Sequence, residues 1–289
     1  MAAEYLLYKG ALAVFEDFSL SCKDFIISHD TGGNALNTLR KTYSLEKVAG
    51  EDREFAKAIN VMRWVHDNVL HNGGTKDVEF IPKDAMSILA YSFGKGTEYG
   101  VYCRLQAIVF TECCLSLGMP ARTIHCLPFS PNDFDSHVVS MVYICDYNKW
   151  VYFDPGNNAY FMDMQGVPLS PLEVRAALAA DEIHLPDTLQ PHYACAYEEK
   201  SEQYKQYMAK NMFYIKFSQN NTAGTDLIKD QVTYHLIPKG FDVWKREVQY
   251  CQYAICNTPD VLRKDWEDSL ESFTKQRITT VSEQQFLQI

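Results

Sequence analysis

The sequence predicts an α+β fold. Helical and strand-like segments follow one another in mixed order, which argues against a doubly wound parallel sheet. Two strand-like segments, 137–144 and 150–154, flank the turn-forming stretch CDYNK, as in an antiparallel hairpin. A helix beginning at Cys103 runs into Gly118 and Pro120, residue types that stop helices.

Each element has its own warrant. Over 51–71, Phe55, Ile59, Met62, His66 and Val69 recur at helical spacing, and HNGG at 71–74 provides glycines for the helix end. A shorter helix is predicted from Asp84, as N-cap, to Phe93, closed by Gly94. The loop GKGTEYG then delivers the chain to Cys103 and a helix over 103–117. Strands are predicted over 121–127, 137–144 and 150–154. Ser170-Pro171-Leu172-Glu173 is a capping box with proline at the first helical position, opening a helix to about Ala180. After about residue 185, DEIHLPDTLQPHY has no clear period, and a boundary is placed there, giving units 1–185 and 186–289. The second unit reads as a tyrosine-bearing helix (197–211), strand-like runs near 212–217, 231–237 and 246–256, and a helix starting at Thr258-Pro259. No chemical motif stands out in it.

Composition narrows the function classes. Of 289 residues, 47% are hydrophobic and 22% charged, ordinary for a globular chain able to build its own core. A net charge of -10 argues against nucleic acid, whose affinity rests on Lys and Arg neutralising phosphates. The nine cysteines are irregularly spaced without a C-x-x-C, so no metal site and no cofactor are expected. No apolar run reaches membrane-spanning length and the start lacks a signal peptide. A cytoplasmic setting is the expectation, although a chain trimmed of its leader would read the same way. Oligomeric state is not legible.

Cys103 sits where a loop becomes a helix. A helix N-terminus offers unpaired N–H groups and about half a positive charge, which favour the thiolate nucleophile over the thiol. Cys113 and Cys114 lie deep in the same helix and read as core. His137 begins an alternating strand, and Asp154 ends the neighbouring one. If residue 143 or 141 pairs with 150, residue 154 falls opposite 139 or 137, which puts His137 and Asp154 on one face, facing or diagonal. A one-residue slip would separate them. The three together fit nucleophilic acyl transfer: a thiol, a proton carrier, and a carboxylate that orients it.

The stretches WVHDNVLHNGG, GVYCRLQAIVFTECCLSLGMPARTIHC, DSHVVSMVYICDYNKWVYFDP and NAYFMD resemble the core of the transglutaminase-like superfamily of papain-related cysteine enzymes. The resemblance implies a papain/transglutaminase-like α+β core, with the nucleophile at a helix N-terminus packed against an antiparallel sheet. It also implies a Cys103, His137, Asp154 triad. The oxyanion or substrate-contacting candidates are Asn72, Trp64 and Asn157, with core packing the stronger reading of Trp64 and helix ending that of Asn72. The chain departs from the family at Val101, where glycine is common, and at Val139, where an aromatic is common. The leading expectation is hydrolysis of a peptide or isopeptide amide in a peptide or protein substrate. The alternatives are a non-catalytic binding module on the same scaffold, and transglutaminase or N-acetyltransferase activity. The R-G-G-x-C-x-E approach of arylamine N-acetyltransferases is absent.

Overall fold

The computed structural model describes residues 3–72, 82–95, 99–186, 197–258, 260–275 and 278–289. Its centre is a six-stranded sheet. The hairpin predicted from CDYNK joins His137–Ile144 (β3) to Lys149–Phe153 (β4). Ala121–Leu127 (β2) lies antiparallel on the other side of β3. The sheet continues into the C-terminal part of the chain. Tyr214–Ser218 (β5) pairs antiparallel with β2, Thr233–Leu236 (β7) with β5, and the short Thr279–Thr280 (β8) runs parallel to β7. The spatial order is β4-β3-β2-β5-β7-β8. Two short strands, Ser28–His29 (β1) and Asn220–Asn221 (β6), pair separately.

Alternation along the strands gives the sheet two buried faces. Ile124, Cys126, Val139, Met141 and Tyr152 face one apolar core. The helices Ala3–Val14 (α1), Pro171–Ala180 (α7) and Tyr197–Asn211 (α8) pack together on that side. Ala121, Val142, Ile144, Val151 and Phe153 face the other core. There they meet Asn34–Thr42 (α2), Leu45–Ala49 (α3), Glu54–Asn68 (α4), Ala85–Lys95 (α5) and Cys103–Ser116 (α6).

The central helix, α6, is buried at every position from Leu105 to Ser116, the signature of a helix enclosed on all sides. A hydroxyl pair ties it to the sheet: Thr111 Oγ1 lies 2.8 Å from Ser140 Oγ, which donates to Ala107 O at 3.1 Å. Cys113 and Cys114 are fully buried, and burial holds both thiols well above their ordinary range. The N-terminus of the same helix comes up to the surface of a cleft.

Other expectations can be placed individually. Asp84 caps α5, accepting from Ser87 N at 2.9 Å, but the helix passes Gly94 and reaches Lys95. The capping box at Ser170 and Glu173 is formed. The run 246–256 is not a strand. It lies in Val243–Asn257 (α9), capped by Asp242 accepting from Lys245 N. Val243, Glu247, Cys251 and Ala254 bury one helical stripe there, a 3.6-residue period that the interleaved tyrosines disguise as alternation. Gly73, Gly74, the middle of the GKGTEYG loop, most of the stretch after 185, and Pro259 lie outside the described residues. A further helix, Asp260–Lys275 (α10), follows α9, and Glu283–Phe286 (α11) closes the chain. The C-terminal segment returns to β2 and β4: Arg122 Nη2 donates to Gln288 O at 2.6 Å and Trp150 Nε1 to Leu287 O at 2.9 Å. Among the described residues, no helix is long and apolar enough to cross a membrane.

Because α6 is held by packing on all sides, truncating its largest buried side chain should be costly. Phe110→Ala is expected to destabilise the fold by about 4 kcal/mol, and truncation of the half-exposed Phe93 by under about 1 kcal/mol. Chemical denaturation followed by circular dichroism would measure both.

Candidate active site

The β3–β4 register decides where the aspartate goes. Tyr143 pairs with Trp150 and the ladder closes at Ser140–Phe153. Asp154, one residue on, therefore falls opposite Val139 and diagonal to His137, on the same face. His137 Nε2 and Asp154 Oδ2 are 2.6 Å apart. Both residues are buried, with 4% and 0% exposure, so the contact is shielded from water.

The turn after β4 completes the carboxylate's surroundings. Asp154 and Ala159 exchange backbone hydrogen bonds of 2.8 and 3.0 Å. Inside that turn, Asn157 donates from its backbone N to Asp154 Oδ1 at 3.2 Å and from Nδ2 to Oδ2 at 2.9 Å. Gly156 allows this closure: a Cβ there would lie 2.9 Å from Gln106 Oε1 and 3.3 Å from Asp154 Oδ1. Behind it, His66 Nδ1 donates to Pro155 O at 3.3 Å, tying the turn to α4.

Cys103 is the first residue of α6, half-buried, and lines the same cleft as His137, whose ring feels its sulfur. With Nε2 committed to Asp154, Nδ1 is the ring nitrogen left for the sulfur. The backbone N–H of Cys103 belongs to the first turn of α6, where no helical carbonyl stands behind it. Burial disfavours a charged His137, but the Asp154 charge and hydrogen bond, with the Cys103 sulfur, outweigh it and raise the imidazole well above its usual value. Burial likewise opposes charge on Asp154, but His137, Asn157 and Tyr204 prevail and lower the carboxyl to about 2.

The remaining candidates part company. Asn72 lines the cleft with Cys103. A parallel bridge between His71 and Val101 places it there, with Asn72 N donating to Val101 O at 2.8 Å. Gly100 permits the approach, since a Cβ on it would meet Asn72 Cβ at 2.6 Å. Asn157 also lines the cleft, while its amide is engaged on Asp154. Trp64 does not join them: its indole packs in the helical core against Tyr43 and Phe93, with ring centroids 5.9 and 6.4 Å away. As an oxyanion or substrate candidate it is corrected to a packing residue. It lies on an α4 face turned towards other helices.

Sequence reasoning missed two contributors, both on α8. Tyr204 OH donates to Asp154 Oδ2 at 2.7 Å. The Tyr207 ring stands edge-on to His137, 5.2 Å between centroids, and its hydroxyl donates to Asp135 at 3.1 Å. Lys210 anchors the same helix by 2.9 Å ion pairs to Asp133 and Asp135, in the loop before His137. Two tyrosines three residues apart share a helix face. That spacing was visible in the sequence, but nothing there said which face it was. Together these elements enclose a cleft of about 730 Å³, with Cys103 and His137 at its base and Tyr102, Phe134 and Tyr207 among its walls.

An imidazolium beside a carboxylate has a definite stability signature. A pKa raised on folding contributes fully below the unfolded value, about 6.5, and is lost as pH rises through the higher folded value. A lowered carboxyl contributes above about 3.9 and is lost as pH falls towards the folded value. The pair is therefore fully stabilising between about pH 4 and 6.5. In NMR titration, His137 should lose its proton above pH 6.5 in the native chain. In Asp154→Asn, where burial acts without the neighbouring charge, it should do so below 6.5.

Residues 41–155 match a family model described as the transglutaminase-like superfamily. Among solved structures, a Cytophaga hutchinsonii protein described as "a Putative Cysteine Protease" aligns over 64% of this chain and 52% of its own, with 17% identity and a TM-score of 0.33. The chain thus spans about half the length of that protein. No curated protein matches the chain. The matched segment runs from the end of α2 through α6 and the β2–β4 sheet to Pro155 and contains Cys103, His137 and Asp154. Over residues 41–155 the chain is thus similar to the transglutaminase-like superfamily, on a mixed helix-and-sheet fold with an antiparallel sheet.

Proposed function

We propose that the chain is a cysteine-dependent acyl-transfer enzyme that hydrolyses a peptide or isopeptide amide through Cys103, His137 and Asp154. The observation that carries this reading is the His137 ring bonded to a buried carboxylate and lining one cleft with a cysteine at the start of a helix. A cleft of about 730 Å³ falls within the range of substrate pockets, and its aromatic walls suit a polypeptide segment.

The chemistry follows from the placement. The Cys103 sulfur, its proton taken by His137 Nδ1, attacks the amide carbonyl carbon, and a C–S bond forms. The carbonyl oxygen takes up the negative charge beside the Cys103 backbone N–H and Asn72, which lines the same cleft, as oxyanion-hole donors. As the tetrahedral intermediate collapses, the C–N bond breaks and His137 gives its proton to the departing amine. Water then attacks the thioester with His137 as base, releasing a carboxylic acid and restoring the thiol. Asp154 keeps Nε2 protonated and supports the imidazolium, so that Nδ1 stays turned to the sulfur. Asn157 holds Asp154 in register.

Three measurements test this. A small dose of iodoacetamide below pH 7, read by mass spectrometry, should modify Cys103 ahead of the other eight thiols; slow, uniform labelling would favour a binding module. Cys103→Ala should abolish cleavage of a mixed peptide library while keeping the fold, and cleaved products should carry water rather than an added amine. Asn72→Ala should lower the cleavage rate by about 10²- to 10³-fold if its amide serves the oxyanion.

A further inference from the structure

The polar chain at this site does not stop at the three residues named above. Asp154 Oδ2 accepts from Tyr204 OH at 2.7 Å, and Tyr204 OH lies 2.8 Å from Tyr152 OH. A phenol has one proton to give. A carboxylate accepts only, so the Tyr204 proton is committed to Asp154. Tyr152 must then be the donor in the phenol pair. Tyr152 thus donates to Tyr204 and Tyr204 to Asp154, the 3.5 Å contact of the Tyr152 hydroxyl with Met208 Sδ being the weaker use of its proton, while His137 Nε2 donates to the same carboxylate from the other side.

We infer that Tyr204 is a positioning residue of this site, its hydroxyl fixing the Asp154 carboxylate and thereby the His137 ring. The inference rests on the cysteine acyl-transfer reading above and deepens it. It places part of the machinery on α8, outside the residues 41–155 that match the superfamily. Three observations support it. Tyr152 and Tyr204 are buried in an otherwise apolar core, at 0% and 4% exposure. Phenylalanines would fill the same space without the cost of desolvating two hydroxyls. Tyr204 stacks on Phe161, 5.4 Å between centroids and 14° between planes, so its ring is immobilised and its hydroxyl points one way. The Asp154 backbone is set by the turn to Ala159, but the rotation of its carboxylate is set by the donors on its oxygens, and Tyr204 is the one that arrives from a helix. Burial, and then the Asp154 charge, raise the Tyr204 phenol well above its ordinary value, so it remains a donor across the working pH range.

The test uses iodoacetate on the full chain, with alkylation of Cys103 followed by mass spectrometry from pH 4 to 10. The reagent is an anion, so its rate rises with the thiolate and falls again when His137 loses its proton; the alkaline limb therefore reports the imidazolium. Tyr204→Phe keeps the ring and its stack but removes the donor. With one competing donor gone, the carboxylate is more basic and holds the imidazolium more strongly. The alkaline limb is expected to move up by about half a pH unit, and the maximal rate to fall by about 10-fold as the ring loses its fixed orientation. Tyr152→Phe, which leaves Tyr204 in place, should shift the limb the same way by less, and it serves if Tyr204→Phe folds poorly. Limbs of both variants superposable on the native one overturn the inference. His137→Ala separates the two failures. If it abolishes the native alkaline limb while the tyrosine variants superpose, only the Tyr204 assignment falls. If it leaves the native profile unchanged, the acyl-transfer reading falls and this inference with it.

Discussion

A carboxylate buried to zero exposure organises this molecule. Left without partners, Asp154 would cost several kcal/mol, so the surrounding chain has to bring donors to it. His137 arrives from β3, Asn157 from the turn that follows β4, and Tyr204 from α8. Each arrival constrains a different part of the fold. The hairpin register must put His137 diagonal to position 154. The turn needs a glycine at 156, and α8 must lie against the sheet with Tyr204 inward. The resulting environment keeps the aspartate ionised and the histidine charged despite burial.

The cysteine is handled by the opposite device. α6 is buried from Leu105 onward, which fixes its axis against the sheet and leaves its first turn as the end that meets the cleft. Three of the chain's thiols lie on this helix, and their surroundings separate them. Cys113 and Cys114 are enclosed by apolar side chains, which hold them as neutral thiols. Cys103 is half-buried at the helix start and lines the cleft together with His137. Position along one helix separates the two enclosed thiols from the one that lines the cleft.

Residues beyond 185 are part of the same sheet: β5 and β7 extend it past β2, and the C-terminal carbonyls receive hydrogen bonds from Arg122 and Trp150. One side of the cleft is built from this region, through Lys200, Gln203, Tyr204 and Tyr207 of α8. The superfamily match ends at residue 155, and the sheet and the cleft both continue beyond it.

The sequence by itself determined the elements whose signals are local. The hydrophobic period of α4, the Asp84 and Ser170 caps, the stop at Gly118 and the CDYNK hairpin are all written within a few residues, and the hairpin arithmetic placed His137 and Asp154 on one face before any coordinates. It misread α9, where tyrosines interleaved with buried residues imitate strand alternation, and it could not separate Asn72 from Trp64, because the two flank the end of α4, one inside the helix and one beyond it. Tertiary structure decided what depends on contacts between distant segments. It joined β2 to β5, turned Trp64 into the helical core, and brought Tyr204 onto a carboxylate fifty residues away in the chain. A hydrogen bond of that kind leaves no periodic trace, because nothing near Tyr204 in the sequence has to change to accommodate it.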